Sequence, residues 1–256
     1  MDSVDAFTAA HIGGHRLKSF TQRPVDGTHG GILLLWDDDV VQLSNIQFRA
    51  FTLSATVTLY PQSPAPTSFK LTTVYGPTQS NLKDAFFAEL IAEKPPLGTM
   101  WLVTGDFNQI YRARDKNRSN VDRSRIVKFR NALNSCELKE IHLQNRRFTW
   151  SNGQSEPTLS KLDNFFCNED WDLEFGSHIL DALSSSLSDH CPLLLANANG
   201  PKRSTCFRFE NFSIKMPGFL TTVQDAWNEG HNHVEPYHIL HHKIKKTSVR
   251  LKAWSK

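Results

Sequence analysis

The sequence predicts a domain of mixed α and β structure, because strands and helices alternate along most of the chain. Short runs of apolar or alternating residues, bounded by turn residues, recur as strands do. Two longer segments space their apolar residues as amphipathic helices do. Polar, titratable residues directly follow several of the predicted strands, where open sheets commonly place their functional sites.

The elements can be placed in order from these patterns. Strands are predicted at residues 30–36, 46–60, 68–75, 100–108, 162–166 and 193–195. The first helix begins at Ser80 or Asn81 and ends near Lys94, before two prolines; Leu82, Phe86, Leu90 and Ile91 form its apolar side. The second helix spans 124–139, with apolar residues at 126, 127, 129, 133 and 138. Asn152-Gly153 predicts a hairpin turn.

Length and composition fit a globular chain of one large domain, or one domain with an appendage. The chain has 256 residues, 39% of them hydrophobic, which is enough to bury a substantial core. We place a boundary near residue 200, giving a main domain at 1–199 and a helical, histidine-rich and basic segment at 200–256. The formal net charge of +3 says little about partners, which depend on where the charges lie.

The spacing of the cysteines and the lack of a membrane-spanning or secretory segment indicate the cellular compartment. Its four cysteines, at 136, 167, 191 and 206, show no C-x-x-C pair, which favours a reducing compartment. The longest apolar run, at 31–36, is too short to cross a bilayer, and the first residues lack a secretory pattern. We therefore expect an intracellular protein that is neither exported nor inserted into a membrane.

The stretch VTGDFNQIY, residues 103–111, carries the first candidate site. On an extended segment side chains alternate, so Asp106 and Asn108 point to one side while Phe107 points into the core. Gly105 allows the backbone to turn sharply at the strand end. A carboxylate and an amide would then meet one ligand; alternatively, they close an ordinary turn.

A second candidate lies in residues 187–195, where titratable groups again precede an apolar strand. His190 titrates near neutral pH and suits a base or a phosphate contact. Its neighbour Asp189 faces the opposite way, so the carboxylate that orients His190 must come from elsewhere. Asp163, an acid on an otherwise apolar strand, can supply it. Taken singly, each of these residues fits equally well as a satisfied polar group at a strand end.

These motifs together resemble a known family. They are, in order, residues 27–36 (GTHGGILLLW), 74–77 (VYGP), 105–108 (GDFN), 147–152 (RFTWSN), 161–163 (KLD), 188–192 (SDHCP) and 207–212 (FRFENF). The set resembles the endonuclease/exonuclease/phosphatase superfamily, and is most similar to the endonuclease region of plant LINE-type (non-LTR) retrotransposon polyproteins. The likeness covers nearly the whole chain. Residues 207–212 and 251–256 resemble the linker to reverse transcriptase, and the chain stops before any polymerase motif.

The resemblance implies an α+β fold, a DNase I-like four-layer α/β/β/α sandwich with the site at one end of two packed sheets. It also implies metal-dependent phosphodiester hydrolysis. Asp106 and Asn108 would hold and activate the attacking water, His190 would contact the scissile phosphate and Asp163 would orient His190. Tyr75 would donate to the phosphate, and Thr149 and Ser188 are weaker matches as phosphate or DNA contacts.

The implied cofactor is Mg²⁺, or Mn²⁺, because the available ligands are oxygens, from Asp106 and Asp189. The family pattern begins with a strand carrying an Asn and a strand ending in Glu-Thr-Lys, whose Glu is the main metal ligand. This chain has neither, and its first glutamate is Glu89. We therefore expect an N-terminally incomplete domain that lacks its first strands, exposes a sheet edge, binds metal weakly and has little or no activity.

Nucleic-acid binding has separate support in residues 111–130, which contain eight Lys or Arg against two Asp. Arg112 and Arg114, directly after the strand-end motif, are candidate phosphate contacts. The alternative is a solvated helix face with a flexible loop.

Three functions are compatible with these features. The first is a LINE-derived endonuclease that nicks DNA for target-primed reverse transcription and is impaired here. The second is a non-catalytic nucleic-acid-binding remnant, and the third is a phosphoesterase of the same fold acting on small phosphate esters. The first implies DNA and a reverse transcriptase domain as partners, a monomer, and a nuclear location that follows only from the substrate.

Overall fold

The computed structural model describes residues 4–25, 30–60, 67–185, 188–198, 211–231 and 234–254. The predicted domain boundary near residue 200 falls outside these residues. In chain order, the elements are α1 (Ala6–Gly13), β1 (Ser19–Arg23), β2 (Ile32–Trp36), β3 (Val41–Phe48), β4 (Thr52–Leu59), β5 (Thr67–Tyr75), α2 (Lys83–Ala92), β6 (Trp101–Asp106), α3 (Arg123–Ser135), β7 (Lys139–Glu140), β8 (Trp150–Ser151), β9 (Leu159–Ser160), β10 (Asp163–Cys167), α4 (Glu169–Glu174), β11 (His178–Ala182), β12 (Leu193–Asn197), α5 (Phe219–Asn228) and α6 (Pro236–Trp254). Short 3-10 segments lie at Ser80–Leu82, Ala113–Asp115 and Asn211–Lys215.

A six-stranded mixed sheet, in the order β3-β4-β5-β6-β10-β7, forms the centre of the fold. β6 pairs in parallel with β5 and antiparallel with β10. Trp101, Leu102 and Val103 of β6 are all buried, so both faces of this strand are covered, as its continuous apolar run predicts. In the β6–β10 register Asp163 stands directly opposite Asp106. The polar end of β6 therefore meets the polar start of β10.

Helices α2 and α3 cover one face of this sheet. Their fully buried residues Phe86, Leu90, Phe129 and Leu133 pack in one cluster with sheet residues such as Phe166. Both amphipathic helices are therefore confirmed, with a 3-10 turn at the start of the first and an earlier end to the second. Ile91 was wrongly placed on the apolar side of the first helix, because it is 42% exposed.

Val127 departs from the predicted apolar set of α3, because it is 55% exposed. It follows Ile126, and one residue along a helix rotates the side chain by about 100°, which turns Val127 away from the sheet. Beyond Ser135 the chain leaves the helix, with Glu137 in the left-handed region at φ 57°, and enters β7.

Two β-hairpins lie on the opposite face. The β11–β12 hairpin packs Leu180, Leu193 and Leu195 into a cluster with Leu102 and Phe165 of the central sheet. The β1–β2 hairpin contacts β5, and α1 contacts β2. The layers are helices α2 and α3, the central sheet, the hairpins and helix α1, and they give the α+β, DNase I-like arrangement. In the part of the chain that is described, the strands outside the central sheet form separate two-stranded pairs, β1–β2, β8–β9 and β11–β12, and not one continuous second sheet.

Three local features differ from the sequence expectation. The alternating stretch 46–60 contains a chain reversal, since β3 ends at Phe48 and β4 begins at Thr52. Asn152-Gly153 begins a longer loop between β8 and β9, in which Asn152 Oδ1 accepts from the Thr158 backbone N–H (2.9 Å). The short elements α1, β1, α4 and β11 were missed, because segments of five to eight residues are too short to show a clear period of apolar residues.

The C-terminal segment forms an antiparallel pair of helices. Phe219 of α5 packs edge-on against Trp254 of α6, with ring centroids 5.4 Å apart, and Lys246 pairs with Glu229 at 2.7 Å. The predicted basic helix is therefore present. Within the described ranges, no helix has both the length and the apolar character needed to cross a membrane.

Candidate active site

The loop that follows β6 is built around Gly105, Asp106 and Asn108. Gly105 has φ +136°, and a Cβ there would lie 2.1 Å from the Val74 carbonyl oxygen, so the position requires glycine. Asp106 Oδ1 accepts from the Asn108 backbone N–H (2.8 Å), and Oδ2 accepts from Asn108 Nδ2 (2.9 Å). Phe107 between them is fully buried. The predicted pairing of carboxylate and amide on one side of the chain is present.

His190 is oriented by Asp163. Its Nδ1 donates to Asp163 Oδ2 at 2.8 Å, which leaves Nε2 as the outer ring nitrogen. Asp189 does not bond to the His190 ring, and its Oδ2 accepts from Trp150 Nε1 at 2.9 Å. The structure therefore has the arrangement that alternation predicted, with the orienting carboxylate supplied from β10 and not by the neighbouring residue.

Electrostatic effects join these groups into one set. Burial raises the pKa of Asp106 to about 6, and the Asp163 charge adds to the rise, while Asn108, His190 and Lys83 oppose it. Burial also raises the pKa of Tyr75, with help from the carboxylates of Asp106 and Asp189.

For His190 burial acts in the opposite direction and favours the neutral ring. The hydrogen bond and charge of Asp163, together with the charges of Asp106 and Asp189, outweigh it, so the pKa of His190 is raised. We call Tyr75, Asp106, Asn108, Asp163, Asp189 and His190 the strand-end cluster. Its members come from distant parts of the chain and together shift the pKa values of Tyr75, Asp106 and His190.

Thr149 has a different place from the one the resemblance implied. It is fully buried, and its hydroxyl oxygen accepts from the backbone N–H groups of Leu162 (3.0 Å) and Asp163 (3.1 Å). A substrate contact would need an accessible hydroxyl, so Thr149 instead positions the start of β10. Ser188 is exposed, and its hydroxyl accepts from the His190 backbone N–H at 3.1 Å.

The two candidate arginines also differ in placement. Arg112 forms an ion pair with the buried Glu140 and lies over the Tyr111 ring, 4.5 Å from its centroid, so its guanidinium is already engaged. Arg114 is exposed, and its carbonyl accepts from the Arg147 guanidinium (2.8 Å). Of the two, only Arg114 has the exposure that a phosphate contact requires.

The basic segment 111–130 is partly neutralised by acids. Besides Arg112, three of its cations form ion pairs: Arg118 with Glu156 (3.7 Å), Arg125 with Asp122 (3.5 Å) and Lys128 with Asp84 (2.8 Å). The segment therefore offers fewer free charges to a nucleic acid than the sequence suggested.

Two residues that the sequence reasoning missed support the cluster. A Cβ at Gly30 would lie 2.3 Å from the Tyr75 ring, so the glycine backbone lies directly against that ring. Lys83 is 2% exposed, and its Nζ donates to the Asn108 carbonyl at 2.6 Å. Burial lowers the pKa of Lys83 to about 8, while the Asp106 charge opposes the shift. Its helical spacing to Phe86, Phe87 and Leu90, which places it on the apolar side of α2, is the one sequence signal that could have found Lys83.

The oxygen-rich donors fit a hard divalent cation such as Mg²⁺, which binds carboxylates and retains several waters. Asp106 and Asp189 are the residues that would hold it. Among the residues that the structure describes, no group of three or more His, Cys, Asp and Glu side chains is arranged to hold a metal ion. The fit is thus one of donor chemistry, with few protein ligands.

The chain belongs to the Endonuclease/Exonuclease/phosphatase family, whose profile matches residues 2–190. Among solved structures, it is similar to the endonuclease domain of TRAS1, a telomere-specific non-LTR retrotransposon, with a TM-score of 0.51 and 15% identity over 72% of this chain and 81% of that one. The catalytic domain of Xenopus laevis APE2 gives a TM-score of 0.45 and 16% identity, covering 67% of this chain and 62% of that one. A truncated Caenorhabditis elegans TDP2 gives 0.45 and 11%, covering 75% and 80%. A search of curated proteins found no match.

Proposed function

We propose that the chain is a DNA phosphodiesterase of the retrotransposon-endonuclease type, with weak activity. The observation that carries the proposal is the placement of Asp106 opposite Asp163 in the β6–β10 register, with His190 bonded to Asp163. This puts a candidate base and an oriented imidazole at the same end of the sheet. The similarity to the TRAS1 endonuclease domain supports DNA as the substrate.

The roles follow from the contacts. With a pKa of about 6, Asp106 is mostly ionised at pH 7.5 yet basic enough to accept a proton from water. Asn108 fixes its orientation through two hydrogen bonds. Asp163 favours the protonated form of His190, whose outer Nε2–H can then donate to a phosphate oxygen. A bound divalent cation would offset charge on the phosphate.

Weak activity is proposed because few carboxylates surround the reacting position. Asp163 is engaged by His190, and Asp189 accepts from Trp150, which leaves Asp106 as the main candidate ligand. One or two carboxylates hold Mg²⁺ only with help from water and substrate phosphates. We expect binding of the ion to be weak in the absence of DNA.

A second candidate, nucleic-acid binding without cleavage, is favoured by the lack of a metal-holding group of three or more side chains in the described residues. Arg114, Arg123 and Arg130 are exposed basic residues of the segment 111–130. Such residues would give salt-dependent binding of limited sequence preference. DNA is the partner under either candidate, and a nuclear location and a reverse transcriptase partner are proposals that depend on it.

The test is nicking of supercoiled plasmid by the purified chain in Mg²⁺ and in Mn²⁺. We expect slow nicking that His190→Ala abolishes and that His11→Ala, a change of an exposed histidine on α1, leaves intact. Salt-dependent DNA binding without nicking would favour the second candidate. Hydrolysis of a small phosphate diester in place of DNA would indicate the third function, and efficient turnover on DNA would contradict the proposed weakness.

A further inference from the structure

Lys83 is a buried cation at a position where a lysine is costly. It is 2% exposed and stands in the first turn of α2, where the helix dipole is also positive. Burying an ammonium group without compensation is strongly unfavourable. The neighbouring groups must therefore offset this cost, and their identity indicates what Lys83 does.

The compensation comes from the loop after β6. Lys83 Nζ donates to the carbonyls of Asn108 (2.6 Å) and Phe107 (3.4 Å). Asn108 has φ +47°, in the left-handed region that residues other than glycine, asparagine and aspartate rarely adopt. Its other polar groups are held too, because its backbone N–H donates to Asp106, and its Nδ2 to Asp106 and to the Gly76 carbonyl (2.9 Å).

The loop is thus held from both sides. Asp106 and Gly76 accept the N–H groups of Asn108, and Lys83 holds its carbonyl. A change of the Asn108 φ and ψ angles to a common conformation would turn its carbonyl away from Lys83 or its N–H away from Asp106.

We propose that Lys83 is a positioning residue for the strand-end cluster. Lys83 holds the Asn108 carbonyl, so that the backbone N–H and the side-chain amide of Asn108 stay on the Asp106 carboxylate. The proposal rests on the proposed function insofar as Asp106 takes part in the reaction. Its structural content can be tested without activity.

The test compares Lys83→Met, which keeps most of the apolar stem and removes the donor, with the control Lys94→Met. Lys94 lies beyond the other end of α2 and likewise donates to a carbonyl, that of Ser135 (3.2 Å). In ¹⁵N-labelled protein we expect hydrogen exchange of the Asn108 amide to speed up by about tenfold or more in the Lys83 variant, as for a lost hydrogen bond to a charged group. Exchange at Val103 should not change, and Lys94→Met should change neither amide. Unchanged protection of Asn108 in folded Lys83→Met would overturn the proposal.

A measurement on the unaltered chain covers the case in which Lys83→Met does not fold. The Lys83 ammonium protons should exchange with water much more slowly than those of Lys94 and show nuclear Overhauser contacts to Asn108. Equal exchange at both lysines would overturn the proposal.

Addition of Mn²⁺ without DNA separates the positioning role of Lys83 from the proposed metal-dependent function. The readout is the paramagnetic broadening of the amide signals of the loop after β6. Broadening in the original chain that weakens in Lys83→Met supports positioning of a metal-binding Asp106. Lost Asn108 protection in Lys83→Met, with no broadening in the original chain, keeps the positioning and removes the metal-dependent function.

Discussion

Replacing Asp106 with asparagine should stabilise the metal-free fold at neutral pH. Burial raises the pKa of this carboxyl from 3.8 to about 6, so the folded state binds its proton more tightly than the unfolded state. The free energy of unfolding therefore falls as pH rises through the window from 3.8 to 6. A shift of about two pKa units corresponds to about 3 kcal/mol once the pH is well above 6.

Asp106→Asn removes that penalty but also places an amide donor opposite Asn108 Nδ2, which loses a hydrogen bond of about 1 kcal/mol. The net gain should be about 1–2 kcal/mol at pH 7.5 and close to zero or negative at pH 4. Asp225→Asn, at an exposed position inside α5, is the control and should leave stability unchanged.

The assay is urea denaturation followed by tryptophan fluorescence between pH 4 and 8 with a chelator present. Added Mg²⁺ at ten times its Kd should then stabilise the original chain by about 1.4 kcal/mol and the variant by less. A variant that is less stable at pH 7.5, or a gain that does not vary with pH, would refute the account of Asp106 as a carboxylate held ionised against burial.

Three further changes test the site and its support. Asp163→Asn should lower the pKa of His190 in an NMR titration, and an unchanged pKa would contradict the pairing. Because the pKa of His190 is raised in the folded state, the pair stabilises the fold fully below about pH 6.5, and this stabilisation is lost as pH rises through the folded-state pKa. Phe129→Ala should cost about 3–5 kcal/mol in urea denaturation, whereas Val127→Ala on the same helix should cost under about 0.5, and equal costs would contradict the assigned core face. Gly105→Ala should cost more than about 2 kcal/mol by the same method, because its Cβ has no space, and a neutral result would contradict the local backbone geometry.

Strands and helices with regular side-chain patterns could be predicted from the sequence. The alternation of Asp106, Phe107 and Asn108 gave the correct inward and outward directions, although β6 ends at Asp106 and a turn, with Asn108 at φ +47°, brings the amide onto the carboxylate. The same rule excluded Asp189 as the partner of His190. These inferences needed only local geometry.

Features that depend on distant contacts could not be predicted. Thr149 looks like any polar residue in an alternating stretch, and only its bonds to the start of β10 show that it is buried. Lys83 lies on the sheet-facing side of α2, yet the acceptors that satisfy it lie 24 and 25 residues further along the chain. The division of the remaining strands into separate two-stranded pairs depends on pairings that no local pattern reveals.

The register of β10 against β6 decides which face of the sheet the Asp163 side chain points to, and so whether it can pair with His190. Asp163 faces the cluster, while its neighbour Asn164 is 1% exposed and faces the side that α2 and α3 cover. A slip of one residue would send the carboxylate into that aromatic core and leave an amide, which carries no charge, to face His190. Adding or removing a single residue within β10 would thus erase the charge pair, whereas a change of two residues would restore the direction of every side chain.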